Sequence, residues 1–364
     1  MSDRYNIDSH KLIYHPQRVS QWLAADNQWS GLKTTYPIYV EITPIGSCNH
    51  RCTFCSVDYI GYKTISQDEA VLKRTITQMA EKGVKSIMFA GEGEPTLYKP
   101  LKNVLNHCKE VGIDSSLTTN FVQLDDETIE SIVDACSWVK VSINGGTAES
   151  YAQIHQTTSR HFDQALQNLE KAIIMRQKRK SSCTFGAQLL LLPENRETII
   201  PLAKKLKAIG VDYLVIKPYT QSLYGISRQY ENLKYDDMMY LQEELDAIKS
   251  DAFNIIFRER TMNKLHEEKQ PYDKCYSTPN FWAYVMANGD VYGCGAYLEN
   301  DKFNYGNINN DSFEAIWEGS KRQEAVRYMR DELDISQCRK NCRMDEVNRY
   351  LWDLKHPSPH VNFI

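Results

Sequence analysis

From residue 37 to about residue 258 the chain alternates two apolar patterns. Short runs rich in β-branched and aromatic residues fall at 38–42, 86–90, 115–119, 139–143, 186–192 and 213–217, and they read as strands. Between them lie stretches with helical spacing. Leu72, Ile76 and Met79 precede Gly83; Leu101, Val104, Leu105, Cys108 and Val111 precede Gly112; Leu124, Ile129, Ile132 and Val133 form a third set. Longer helical patterns cover 162–175 and 199–209, the latter ending at Gly210. Ser66-Gln67-Asp68-Glu69 has the form of a capping box, with Ser66 as cap. Repeated strand–helix units imply a parallel sheet, and six of them predict an α/β partial barrel whose functional groups gather at the C-terminal strand ends. The apolar run 254–257 is a candidate final strand.

Beyond residue 260 the pattern changes. A strand at 281–286, the turn Asn288-Gly289-Asp290 and a returning strand at 291–294 predict a hairpin. Val347, Tyr350, Leu351 and Leu354 follow at helical spacing. The chain therefore divides into an N-terminal extension (1–36), a barrel (37–260) and a small hairpin-plus-helix extension with a tail (261–364). Composition excludes some classes. A net charge of −4 gives no broad nucleic-acid-binding surface, and no apolar run approaches the roughly 20 residues of a membrane span. The polar start Met1-Ser2-Asp3-Arg4-Tyr5 carries no signal-peptide core, so a cytoplasmic location is expected. Ten cysteines without a secretion signal argue for metal chemistry in a reducing compartment.

Cys48, Cys52 and Cys55 stand at C-x3-C-x2-C spacing directly after the first strand. Three thiolates on one short loop suit a [4Fe–4S] cube with one iron left open, since ordinary clusters take four cysteines. A disulfide would leave one thiol over, and zinc sites usually show two matched pairs. The turn Gly91-Glu92-Gly93-Glu94-Pro95 begins 36 residues after Cys55 and follows the second strand. Its glycines permit close backbone approach. Cys275, Cys294, Cys338 and Cys342 form a second group, for which spacing alone leaves zinc and iron–sulfur open. Cys108, Cys136 and Cys183 read as buried small hydrophobes.

The three-cysteine loop, with Phe54 before its last cysteine, resembles the signature of the radical S-adenosylmethionine (SAM) enzymes. Gly91 to Pro95 resembles that family's Gly-Gly-Glu-Pro motif, departing at Glu92-Gly93. The resemblance implies a (β/α)6 partial TIM barrel holding a [4Fe–4S] cluster on Cys48, Cys52 and Cys55, with SAM on the open iron. It carries SAM-binding roles to Phe54, Gly91, Glu92, Gly93, Glu94, Asn120, Ser142 and Arg160. The residues around Gly289, followed by Tyr305-Gly306-Asn307-Ile308, resemble the SPASM/twitch extension of these enzymes. This implies one auxiliary [4Fe–4S] cluster on Cys275, Cys294, Cys338 and Cys342. The implied activity is reductive cleavage of SAM to a 5′-deoxyadenosyl radical, with an electron from a donor such as flavodoxin or ferredoxin. That radical takes hydrogen from a small polar substrate: a sugar, aminocyclitol, nucleotide or nucleotide-sugar. An oxidoreductase-type, dehydrogenase-like outcome using the auxiliary cluster is the first expectation. Lys217 and Tyr219 at the end of the sixth strand, Gln188 pointing inward from the fifth and Arg258 after the last are the candidates for contact with substrate or for catalysis. The alternatives are a peptide- or protein-modifying enzyme (thioether, epimerisation or sulfatase-type maturation) and, from another class, a non-catalytic metal-binding regulatory protein.

Overall fold

The alternating patterns become seven parallel strands: β1 (Tyr39–Ile42), β2 (Ser86–Phe89), β3 (Asp114–Thr119), β4 (Cys136–Ser142), β5 (Thr184–Leu191), β6 (Tyr213–Pro218) and β7 (Asn254–Phe257). This is a computed structural model, and it describes residues 4–7, 9–267 and 269–363. Three further strands follow: β8 (Trp282–Val285), β9 (Asp290–Tyr292) and β10 (Asn304–Asn307). All ten form one open sheet in the order β10-β9-β8-β1-β2-β3-β4-β5-β6-β7.

Each crossover helix lays its apolar stripe on the outer face of the sheet. Leu72, Ile76 and Met79 of the helix Glu69–Glu81, and Ile129, Ile132 and Val133 of the helix Asp126–Ala135, are completely buried with Val40, Ile42, Val139 and Val141 of the strands. Strand residues alternate between faces, so Glu41 and Lys140, flanked by these valines and isoleucines, point the other way. Glu41 is felt electrostatically by Lys140 and Lys217 although β1, β4 and β6 are not neighbours. Those three side chains therefore meet across the barrel lumen. Tyr5 and Ile7 pack with Tyr213, Val215 and Ile256 on the inner side of β6 and β7.

One expectation needs correction. Asp68, not Ser66, caps the helix Glu69–Glu81, accepting a hydrogen bond from the Val71 N–H. Ser66 instead makes a bridge to Ile45 at the base of the cysteine loop. The hairpin of the C-terminal third joins the barrel sheet. β8 pairs in parallel with β1 over four residues, Tyr39 opposite Trp282 through Ile42 opposite Val285, and extends the barrel sheet. A hairpin reads from sequence as self-contained because its turn is local, whereas its outer pairing is not. The first 36 residues are also tied in: Trp22 packs with Tyr276, Phe281 and Leu351. Beside them Arg322, fully buried, donates to the carbonyls of Pro279, Trp317 and Leu32 and stacks 3.7 Å over the Trp317 ring.

Candidate active site

The cysteine loop leaves the C-terminal end of β1, and the Gly91–Pro95 turn leaves the end of β2. The two are in backbone contact. The Glu94 N–H donates to the Ser47 carbonyl (2.8 Å). A Cβ on Gly93 would lie 1.9 Å from the Ile45 carbonyl oxygen, and one on Gly91, whose φ is +119°, would lie 1.9 Å from the Thr43 hydroxyl. Only glycine fits at either position, so the turn presents bare backbone beside the cysteines.

The two acidic side chains of this turn are occupied elsewhere. Glu94 is buried and accepts from the Thr96 N–H (3.0 Å) and hydroxyl (2.9 Å), from the Thr119 hydroxyl and from the Asn120 N–H (2.8 Å). It braces the end of β2 against β3. Glu92 reaches the C-terminal hairpin, where it accepts from the Ala287 N–H (3.0 Å); its other oxygen has no partner among the described residues. Burial, offset in part by that hydrogen bond, raises its carboxyl to about 7.

The other expected SAM contacts surround the loop. The Asn120 side chain donates to Asn49 of the loop (2.6 Å), and Ser142 ends β4 in register with Gln188 of β5. The Phe54 ring lies edge-on to His155, with centroids 5.8 Å apart, and packs with Tyr219 and Tyr230. Arg160 is exposed at the first turn of the helix Arg160–Arg179, beside His161, whose ring meets His50 of the loop at 3.2 Å. Tyr219 is buried, with its hydroxyl on Gln221 (2.9 Å), so it is part of the wall.

His155 carries no sequence signal of its own. Its Nε2 accepts from the Asn144 N–H (3.1 Å), which leaves the proton on Nδ1, 3.2 Å from the Cys52 sulfur. The imidazole thus donates to the sulfur of Cys52. Burial pushes the Cys48 thiol up to about 12 and the Cys52 thiol well above its ordinary range, and the neighbouring thiols add to both shifts. Thiols that repel one another in this way become thiolates when a metal stands among them.

The second cysteine group is assembled from three places: Cys275 before β8, Cys294 after β9, and Cys338 with Cys342 on one turn. All four are free thiols, and Cys294 is raised well above its ordinary range by burial and then by Cys342, Cys275 and Cys338. Among the described residues, no three of these sulfurs lie within 4.8 Å of one another. Tetrahedral zinc with bonds of 2.3 Å would bring them to about 3.8 Å. The wider spacing suits a cluster better than a single ion. The Cys338–Cys342 turn also sends two arginines into the barrel. Arg339 donates to the Thr220 carbonyl beyond β6 (2.7 Å), and Arg343 donates to Tyr39 (3.0 Å) and pairs with Glu41.

Family comparison agrees with this geometry. A model described as the Radical SAM superfamily matches residues 42–206, and one described as SPASM, an iron–sulfur cluster-binding domain, matches residues 275–343. The chain belongs to the radical SAM superfamily and carries a SPASM domain. These domains imply a SAM-binding [4Fe–4S] cluster, SAM and an auxiliary iron–sulfur cluster. The glycine-only backbone beside the three-cysteine loop and the wide four-cysteine group fit them. Among relatives, a PqqA peptide cyclase of Rhodopseudomonas palustris is 33% identical over 116 residues, 31% of this chain and 30% of that protein. An S-adenosylmethionine-dependent nucleotide dehydratase of Lacinutrix mariniflava is 30% identical over 114 residues, 29% of this chain and 23% of that protein. The matched stretch thus spans less than a third of either relative. The solved structure of Streptococcus suis SuiB bound to S-adenosylmethionine aligns with a TM-score of 0.67 at 17% identity, over 96% of this chain and 80% of SuiB, and shows the shared fold. No helix among the described residues is long and apolar enough to cross a membrane.

Proposed function

We propose that this radical SAM enzyme oxidises a small, polar substrate in a dehydrogenase-like reaction. The observation that carries this reading is the lumen itself. Inside the barrel lie ionic side chains, Glu41, Lys140, Lys217 and Arg343, on an otherwise apolar scaffold. When bound, SAM with the loop cluster supplies a carbon-centred radical able to take a hydrogen atom from substrate. This chain's residues do the rest. Gly91 and Gly93 offer backbone to the methionine end of SAM, and Ser142 and Gln188 border the space above the lumen. Phe54, His155 and Tyr219 wall off the loop from water. Oxidation of a secondary alcohol leaves one electron and one proton to be placed; Cys275, Cys294, Cys338 and Cys342 would hold the auxiliary cluster that could take the electron, and solvent accepts the proton. An external donor such as flavodoxin or ferredoxin starts each turnover.

A second reading, peptide modification, is favoured by the match to the peptide cyclase. One experiment separates the two. The enzyme, loaded with iron and sulfide under anaerobic conditions, is given SAM, dithionite and either a panel of nucleotides, sugars and aminocyclitols or a peptide library. 5′-Deoxyadenosine formed together with a small-molecule product lacking two hydrogens is the expected result. A modified peptide, or a product whose composition shows no net oxidation, overturns the first reading. Cys48→Ala should abolish 5′-deoxyadenosine, while Cys294→Ala should retain some of it and yield no product.

A further inference from the structure

The lumen charges are not balanced among the described residues. Lys140 on β4, and Arg339 and Arg343 from the auxiliary turn, lie within electrostatic reach of Lys217 on β6. The carboxylate facing Lys140 and Lys217 is Glu41, and Arg343 already pairs with it. Neither lysine ammonium has a hydrogen bond or a carboxylate partner among the described residues; Lys140 lies 5.4 Å over the Trp138 ring. Arg343 is half accessible although its partner Glu41 is only 7% exposed. Burial and mutual repulsion push Lys140 down to about 8 and Lys217 well below its ordinary range.

Such an arrangement is costly to the empty protein. Elsewhere the same chain matches its charges. In the surface cleft of about 430 Å³ by the helix Asp345–Lys355, Arg260, Lys264 and Arg349 are each paired with Glu346, Asp345 or Glu267. The lumen lysines have no such match among the described residues. Two lysines and two arginine forks converging from β4, β6 and the auxiliary turn call for more than the single charge of a carboxylate. Arginine forks suit phosphoryl oxygens through paired hydrogen bonds.

We infer that the lumen binds the diphosphate of a phosphorylated metabolite, a nucleoside diphosphate or nucleotide-sugar, with Lys140, Lys217, Arg339 and Arg343 as its cradle. This deepens the small-substrate reading and rests on it. The diphosphate sits between β1, β4 and β6, and the rest of the molecule extends toward the strand ends, where the cysteine loop lies. Because Arg339 and Arg343 share a turn with Cys338 and Cys342, anion binding and the auxiliary site are one structural element.

Titration calorimetry on the cluster-loaded enzyme tests this with GDP, guanosine, inorganic pyrophosphate and a glutamate-rich peptide. GDP is expected to bind at least tenfold more tightly than guanosine, and pyrophosphate to displace it. Lys140→Gln and Lys217→Gln should each weaken GDP about tenfold. Glu41→Gln, which releases Arg343, should strengthen it, a gain that misfolding cannot mimic. Equal binding of GDP and guanosine, loss rather than gain in Glu41→Gln, or better competition by the acidic peptide than by pyrophosphate overturns the proposal. SAM cleavage by dithionite is measured in the same preparation. If 5′-deoxyadenosine forms but GDP does not bind, the diphosphate site fails alone; if GDP binds and no 5′-deoxyadenosine forms, the redox reading fails instead.

Discussion

Glu92 departs from the family's motif, and its environment says what the departure costs. It faces the Ala287 N–H, with Lys63 favouring its charge and Glu299 and Asp290 opposing it, and burial holds its carboxyl near 7. A folded value above the unfolded one means that stability is greatest below the ordinary carboxylate range and declines as pH rises toward 7. Glu92→Gln keeps an acceptor for Ala287. It should stabilise the protein by up to ~3 kcal/mol at pH 8, and the gain should vanish near pH 4; melting temperatures at the two pH values check this. Gly93→Ala should act in the opposite direction. A methyl group against the Ile45 carbonyl displaces the cysteine loop, costs about 1–3 kcal/mol and weakens SAM binding, as equilibrium dialysis would show. His155→Phe removes the N–H donor to Cys52. Such donors favour the more negative, reduced cluster, so an EPR-monitored redox titration should give a lower midpoint for the loop cluster at unchanged iron content. At this scale the candidate ligands were legible, because C-x3-C-x2-C and the glycine turn are local. Glu41 and Lys140 were legible in principle, as single charges between β-branched residues of a strand. His155, Arg339 and Arg343 were not, since each acquires its role from residues far away in the chain.

Among the elements, the strands and crossover helices follow the apolar periodicity to within a few residues, because their outer face is one continuous core. Boundaries moved where side chains competed for the same backbone: Asp68 took the cap that Ser66 could have supplied. What periodicity could not show was the partner of the C-terminal hairpin. The junction depends on Arg322, the buried cation that joins the Trp29–Leu32 turn, the residues leading into β8 and the helix Phe313–Glu318 through three carbonyls. Arg322→Ala leaves those carbonyls unsatisfied and opens space beside Trp317. A loss of at least about 3 kcal/mol is expected in urea unfolding, with the N-terminal helices and the hairpin loosening together.

For the whole molecule, the binding of an anion should track the charge of Lys140. The groups facing it are Arg343, Glu41 and Arg258, with Lys217 across the lumen and Trp138 alongside. An anion favours the protonated lysine, so GDP affinity should fall as pH rises above about 8, with proton uptake on binding detectable by calorimetry in buffers of different ionisation enthalpy. The pairing of β8 with β1 bears on how such a molecule is made. β1 leaves the ribosome early, and its outer partner follows about 240 residues later, roughly 10–50 s at ordinary rates of synthesis. Throughout that interval one edge of the strand that leads into the cysteine loop is unsatisfied and open to other chains. The nascent barrel is thus an aggregation hazard until its last third arrives, and a chain cut at residue 271 should accumulate as insoluble protein even when iron and sulfide are plentiful.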